Sequence, residues 1–121
     1  MLKKNSKIFI AGHNGLVGST IYELLKKNNY KNILVKNRAD LDLTNKIKVN
    51  NFFKKNKIDY LLMCAARVGG ILENSKYPIE FLLDNLAIQN NLLIAAKKSK
   101  IKRIIFLGSS CIYPQRSKIP I

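Results

Sequence analysis

Four short apolar runs punctuate the chain, and segments with apolar residues every three or four positions fill most of the space between them. The first run, Ile8-Phe9-Ile10-Ala11, has no polar interruption and reads as a buried strand. Behind it Leu16, Val17, Ile21, Leu24 and Leu25 recur at helical spacing, which predicts a helix over Leu16 to Lys27, ended by Asn28-Asn29. Ile33 to Lys36 reads as a second strand. A helix over about Lys46 to Lys55 follows, with Val49, Phe52 and Phe53 on one face. Ile58 to Cys64 is a third strand, and Ala65 to Tyr77, with Gly69-Gly70 inside it, reads as a loop. A long helix spans about Ile79 to Lys98, and Ile104 to Leu107 is the fourth strand.

Strands separated by helices imply a parallel sheet with helices on both faces. The expected fold class is α/β, a Rossmann-type doubly wound parallel sheet truncated after about four strands. With right-handed crossovers and a ligand turn after the first strand, the expected strand order is 3-2-1-4. No linker, repeat or low-complexity block divides the chain, so residues 1–121 read as one domain.

The candidate chemistry begins between the first strand and the first helix, where Gly12, Gly15 and Gly18 stand at GxxGxxG spacing. A helix N-terminus offers backbone N–H groups and the positive end of its dipole to an anion. Gly12 suits the tight turn, Gly15 a close approach of backbone to pyrophosphate, and Gly18 close packing of helix on strand. His13 either touches a phosphate or packs beside the turn. The second strand ends in Val35-Lys36-Asn37-Arg38, with no acidic residue to bind a ribose hydroxyl. A basic residue there accommodates a 2′-phosphate, so the expected cofactor is NADP, with Arg38 as its selector. Asp42-Leu43 either meets an adenine ring or, through Asp42, caps or orients the next helix.

Charge changes this picture less than its size suggests. The net charge is +15 from 22 basic and 7 acidic residues, but only Arg38, Arg67, Arg103 and Arg116 are arginines. Lysine pairs fall at the ends of the predicted helices, Lys26-Lys27, Lys54-Lys55 and Lys97-Lys98, where cations suit the dipole. No arginine stripe with interleaved aromatics appears, so nucleic acid is not an expected partner. No apolar run approaches the ~18 residues of a membrane span. The two cysteines, Cys64 and Cys111, form no CxxC and there is one histidine, so no metal site is expected and the expected compartment is the reducing cytoplasm.

Four segments together carry a resemblance: Phe9 to His13, Gly15 to Ser19, Ala65 to Ile71 (AARVGGI) and Phe106 to Pro114 (FLGSSCIYP). The chain resembles the N-terminal part of the extended short-chain dehydrogenase/reductase family, and within it the GDP-L-fucose synthases. These NADPH-dependent enzymes epimerise and reduce a GDP-4-keto-6-deoxy sugar. The resemblance implies that Gly12, His13, Asn14, Gly15, Leu16, Val17, Gly18, Arg38, Ala65, Leu107, Gly108 and Ser110 line or support the NADP site. It implies that Ser109 is the catalytic serine and Cys111 an epimerisation acid/base, and that full-length members form homodimers and act on a GDP-sugar. Asn14 departs from the pattern, standing where many relatives carry arginine. The family's Tyr-x-x-x-Lys pair and its substrate-binding domain are expected beyond Pro114, so the chain as given is expected to lack its proton donor. Two alternatives stay open, another NAD(P)-dependent nucleotide-sugar epimerase or dehydratase and a non-catalytic NADP-binding protein.

Chemistry supports the two catalytic roles independently. A serine at the carboxyl end of a strand can polarise a substrate carbonyl. A thiol can exchange a proton on carbon beside a carbonyl, with a second group on the opposite face.

Overall fold

The computed structural model describes residues 2–109, Tyr113, Pro114 and Arg116. In chain order the elements are β1 (Ile8–Ala11), α1 (Leu16–Lys27), β2 (Ile33–Val35), α2 (Lys46–Asn56), β3 (Tyr60–Met63), α3 (Ile71–Lys76), α4 (Pro78–Lys98) and β4 (Arg103–Phe106). The expected strands and long helices are therefore present within a few residues of their predicted limits. The exception is α3, a six-residue helix inside the segment read as loop. It buries no residue, so it left no apolar periodicity to read.

All strand pairings are parallel, and the order is β2-β1-β3-β4. This corrects the expected 3-2-1-4: the third strand lies beside β1, not outside β2. The reason is the face that α2 covers. Val49 and Phe53 of α2 are buried in one cluster with Phe9 and Ala11 of β1, Leu61 and Met63 of β3, and Leu92, Ala95 and Ala96 of α4. The Phe9 ring lies 4.8 Å from Phe52 and 5.8 Å from Phe53. Burying a residue of this size contributes about 1.5–3 kcal/mol, so α2 is held on this face beside α4. A right-handed crossover on the face opposite α1 returns the chain past β1, and β3 pairs there.

The topological switch thus falls between β1 and β3, at the carboxyl ends of both strands, which is where open α/β sheets bind ligands. The helix ends fit their charges. Asn45 caps α2 by accepting from the Lys48 N–H at 3.0 Å, and Pro78 opens α4, where its missing N–H costs nothing. Lysines occupy the last turns of α1, α2, α3 and α4, so part of the basic excess serves the helix dipoles.

Candidate functional site

A cleft of about 500 Å³ opens at the switch point. Its floor is the turn between β1 and α1. Gly12 has φ +90°, and a Cβ there would stand 2.6 Å from the Ala65 backbone, so no other residue fits without displacing the end of β3. At Gly18 a Cβ would penetrate the Gly12 carbonyl oxygen, which lets α1 sit directly on the turn. At Gly15 the nearest atom is Gly12 O at 3.5 Å, so this glycine leaves open space on the cleft side. No side chain caps α1, and its first turn holds no acidic residue. Leu16 is 86% exposed at the mouth, an apolar side chain without cover. An anion-accepting helix terminus beside apolar surface suits a phosphorylated aromatic ligand.

The end of β2 forms the next wall. Lys36 and Arg38 both line the cleft and both are exposed. Asn14, on the glycine turn, donates from Nδ2 to Asn37 Oδ1 at 3.0 Å and ties that turn to this wall. Asp42 accepts from the Thr44 N–H at 3.0 Å and from the Thr44 hydroxyl at 2.7 Å. These bonds, with help from Arg38, hold its carboxyl below the usual carboxylate range. The Asp42 carboxylate braces the turn before α2, whose cap is Asn45, and Asp42 also lines the cleft. Leu43 lies beside it on the cleft.

The third wall comes from the end of β3 and from α4. Ala65, Ala66, Arg67 and Val68 face the cleft, as do Asp84 and Ile88. The Arg67 guanidinium pairs with Asp84 at 2.9 Å and lies 4.5 Å from the centre of the Phe81 ring. Sequence reasoning missed Arg67, Asp84 and Ile88, because nothing local shows that one side of α4 overhangs the end of β3. Cys64, at the end of the third apolar run, is half-buried and lines the cleft. Burial pushes its thiol pKa up, which disfavours the thiolate.

The structure therefore brings Gly12, His13, Asn14, Gly15, Leu16, Val17, Gly18, Arg38, Asp42, Leu43, Ala65 and Leu107 to one cleft. His13 also packs edge-on to Tyr22, with ring centres 6.3 Å apart. Gly108 follows β4 but does not line the cleft. Ser109 is exposed at the same strand end. Ser110 and Cys111 lie outside the described residues. A Tyr-x-x-x-Lys spacing does occur upstream of Pro114, at Tyr22 and Lys26 of α1. There the Lys26 ammonium lies over the Tyr22 ring at 5.0 Å, a contact between neighbouring turns of one helix, and neither residue lines the cleft. Among the described residues no cluster of His, Cys, Asp or Glu can hold a metal ion, and no helix is long and apolar enough to cross a membrane.

Residues 8–121 match the NAD dependent epimerase/dehydratase family. The chain is 46% identical over 121 residues to GDP-L-fucose synthase 1 of Arabidopsis thaliana, covering all of this chain and 38% of that protein. It superposes on a GDP-D-glycero-L-gluco-heptose synthase from Campylobacter jejuni, crystallised with NADPH, with TM-score 0.93 and 36% identity. It superposes on a GDP-L-fucose synthetase from Naegleria fowleri bound to NADP with TM-score 0.86 and 29% identity. All of this chain is covered in both structures, against 35% and 39% of the two neighbours. The chain thus spans little more than a third of the relatives it matches. Family match, sheet and glycine cleft agree, and the chain belongs to the NAD dependent epimerase/dehydratase family.

Proposed function

We propose that the chain is the cofactor-binding part of an NADPH-dependent enzyme that epimerises and reduces a GDP-4-keto-6-deoxy sugar to GDP-L-fucose. One observation carries the reading. An acid-free, uncapped helix N-terminus behind Gly12, Gly15 and Gly18 faces the cations Lys36 and Arg38 across one cleft. Its volume of about 500 Å³ falls within the roughly 300–1,000 Å³ range of ligand sites. Relatives with GDP-sugar names, one of them solved with NADP, support the same assignment.

In this reading the first-turn N–H groups of α1 hold the pyrophosphate, and Arg38 pairs with the 2′-phosphate. The bound cofactor supplies hydride to the sugar's keto carbon. Ser109 donates a hydrogen bond to the keto oxygen and stabilises the charge that develops there. Cys111 moves a proton on and off the carbon beside that carbonyl, a step the carbonyl makes possible by acidifying the C–H bond. The 121-residue chain alone is expected to show no turnover, since the tyrosine–lysine pair of the family resemblance has no counterpart among the described residues of its cleft.

The test joins residues 1–121 to the remaining part of the Arabidopsis relative and follows NADPH oxidation and solvent deuterium uptake together. Ser109→Ala is expected to depress reduction roughly 10²–10³-fold, as loss of an oxyanion donor does. Cys111→Ser is expected to suppress deuterium uptake while sparing reduction of a sugar already epimerised. Normal uptake in Cys111→Ser would make the cysteine structural and overturn the epimerase assignment.

A further inference from the structure

We propose that Asn85 and Asn91, six residues apart on α4, are positioning residues that hold the two walls of the cleft in their binding geometry. The proposal rests on the dinucleotide reading above. Asn91 is only 8% exposed. Its Nδ2 donates to Leu43 O at 3.0 Å and Thr44 O at 2.9 Å, so one amide spends both hydrogens on the loop after β2. Asn85 acts on the loop after β3. Its Oδ1 accepts from the Arg67 N–H at 2.7 Å and its Nδ2 donates to Arg67 O at 3.0 Å, so one side chain closes both backbone groups of one residue.

Asparagine is the side chain this work needs. A carboxylate at 91 would set negative oxygens against two carbonyls, and at 85 it would keep the acceptor but lose the donor. The helix that carries both amides is fixed to the core, because Leu92, Ala95 and Ala96 are buried in the central cluster. Rigid core geometry is therefore passed to two irregular segments that have no ladder of their own. Leu43 and Thr44 line the β2 side of the cleft, near Arg38, whereas Ala65 to Val68 line the β3 side. The β2 side meets the adenosine half in the dinucleotide reading, and the β3 side meets the other half.

Each clamp thus has its own signature. A loop held in its competent form only a tenth of the time weakens binding about tenfold. Asn91→Leu is expected to weaken both 2′,5′-ADP and NADPH about tenfold. Asn85→Leu is expected to weaken NADPH about tenfold and leave 2′,5′-ADP within about twofold. General destabilisation would weaken both ligands alike in both variants, so the split separates positioning from folding. Hydrogen exchange of the ligand-free 121-residue chain gives the second reading. The Arg67 amide is expected to be protected in the wild type and to exchange at the rate of open chain in Asn85→Leu. If Asn91→Leu does not melt cooperatively, the half-buried Asn85 carries the test alone, with Asn85→Asp as its milder form. Unchanged Arg67 exchange, or equal weakening of both ligands by Asn85→Leu, overturns the proposal. Wild-type protein that binds neither ligand overturns the dinucleotide reading instead, whatever the exchange pattern.

Discussion

β1 and β4 are built from similar side chains, Ile-Phe-Ile-Ala and Arg-Ile-Ile-Phe, and both lie parallel to β3. Every residue of β1 is buried and every residue of β4 is exposed. β1 has a strand on each side and helices above and below, and it ends in the glycine turn. Among the described residues β4 has one strand neighbour, and Ile105 borders an apolar groove of about 190 Å³ shared with Leu2, Leu25 and Tyr60. An apolar run therefore specifies a strand, while the layers around it decide burial. The proposed functions divide along the same line. The cofactor walls stand on the fully covered side, and Ser109 stands at the end of the bare strand.

The comparison breaks first at Gly12. Gly12→Val is expected to destabilise the fold by on the order of 3–5 kcal/mol, because positive φ and backbone overlap act together. NADPH binding should vanish with it, and chemical denaturation beside a binding titration checks both. A mild effect on either would mean that the turn is less constrained than its contact with Ala65 implies.

The opposite substitution probes the bare strand. An uncovered apolar edge promotes pairing between copies, so the chain is expected to self-associate as its concentration rises. Ile105→Lys should shift it toward monomer, changing stability by no more than about 0.5 kcal/mol and leaving NADPH affinity unchanged. Sedimentation of both proteins decides this, and a monodisperse wild type would contradict it.

Much of the covered side was legible from local pattern. Strand, glycine turn and helix follow one another within Ile8 to Lys27, and each element announces itself by periodicity or by glycine. Strand order was not legible, because it depends on which face receives Val49 and Phe53, and that is settled by packing with α4. Nor were the roles of Asn85 and Asn91 visible. An asparagine on an amphipathic helix looks like any solvated polar position until the loop it ties is in place. Arg67 sat in a recognised motif, yet its partner Asp84 lies 17 residues away, on α4.

A further modest effect joins the two regions. Asp59 accepts from the Lys7 N–H at 2.8 Å at the start of β1 and pairs with Lys102 at 2.7 Å beside the start of β4. The Lys102 bond, then the Lys7 bond, holds the Asp59 carboxyl below its ordinary pKa. A lowered folded-state pKa adds stability above the unfolded value of about 3.9 and loses it as pH falls through the folded value. Asp59→Asn is expected to cost about 1 kcal/mol or less at neutral pH, given that Lys102 is largely solvated. It should also flatten the acid limb of the urea midpoint below about pH 4. Asp42, lowered by its Thr44 bonds, retains part of that limb in the variant. An unchanged pH profile would show that Asp59 does not couple the two strands.

The most direct test of the cofactor assignment is a titration of the wild-type chain and Arg38→Ala with NADPH and with NADH. The wild type is expected to bind one NADPH per chain and to bind NADH roughly 10- to 150-fold more weakly, the range of a charge-assisted bond to phosphate. In Arg38→Ala the two cofactors should bind alike, at the affinity of the wild type for NADH. No saturable NADPH binding by the wild type, or equal binding of both cofactors, would contradict the account.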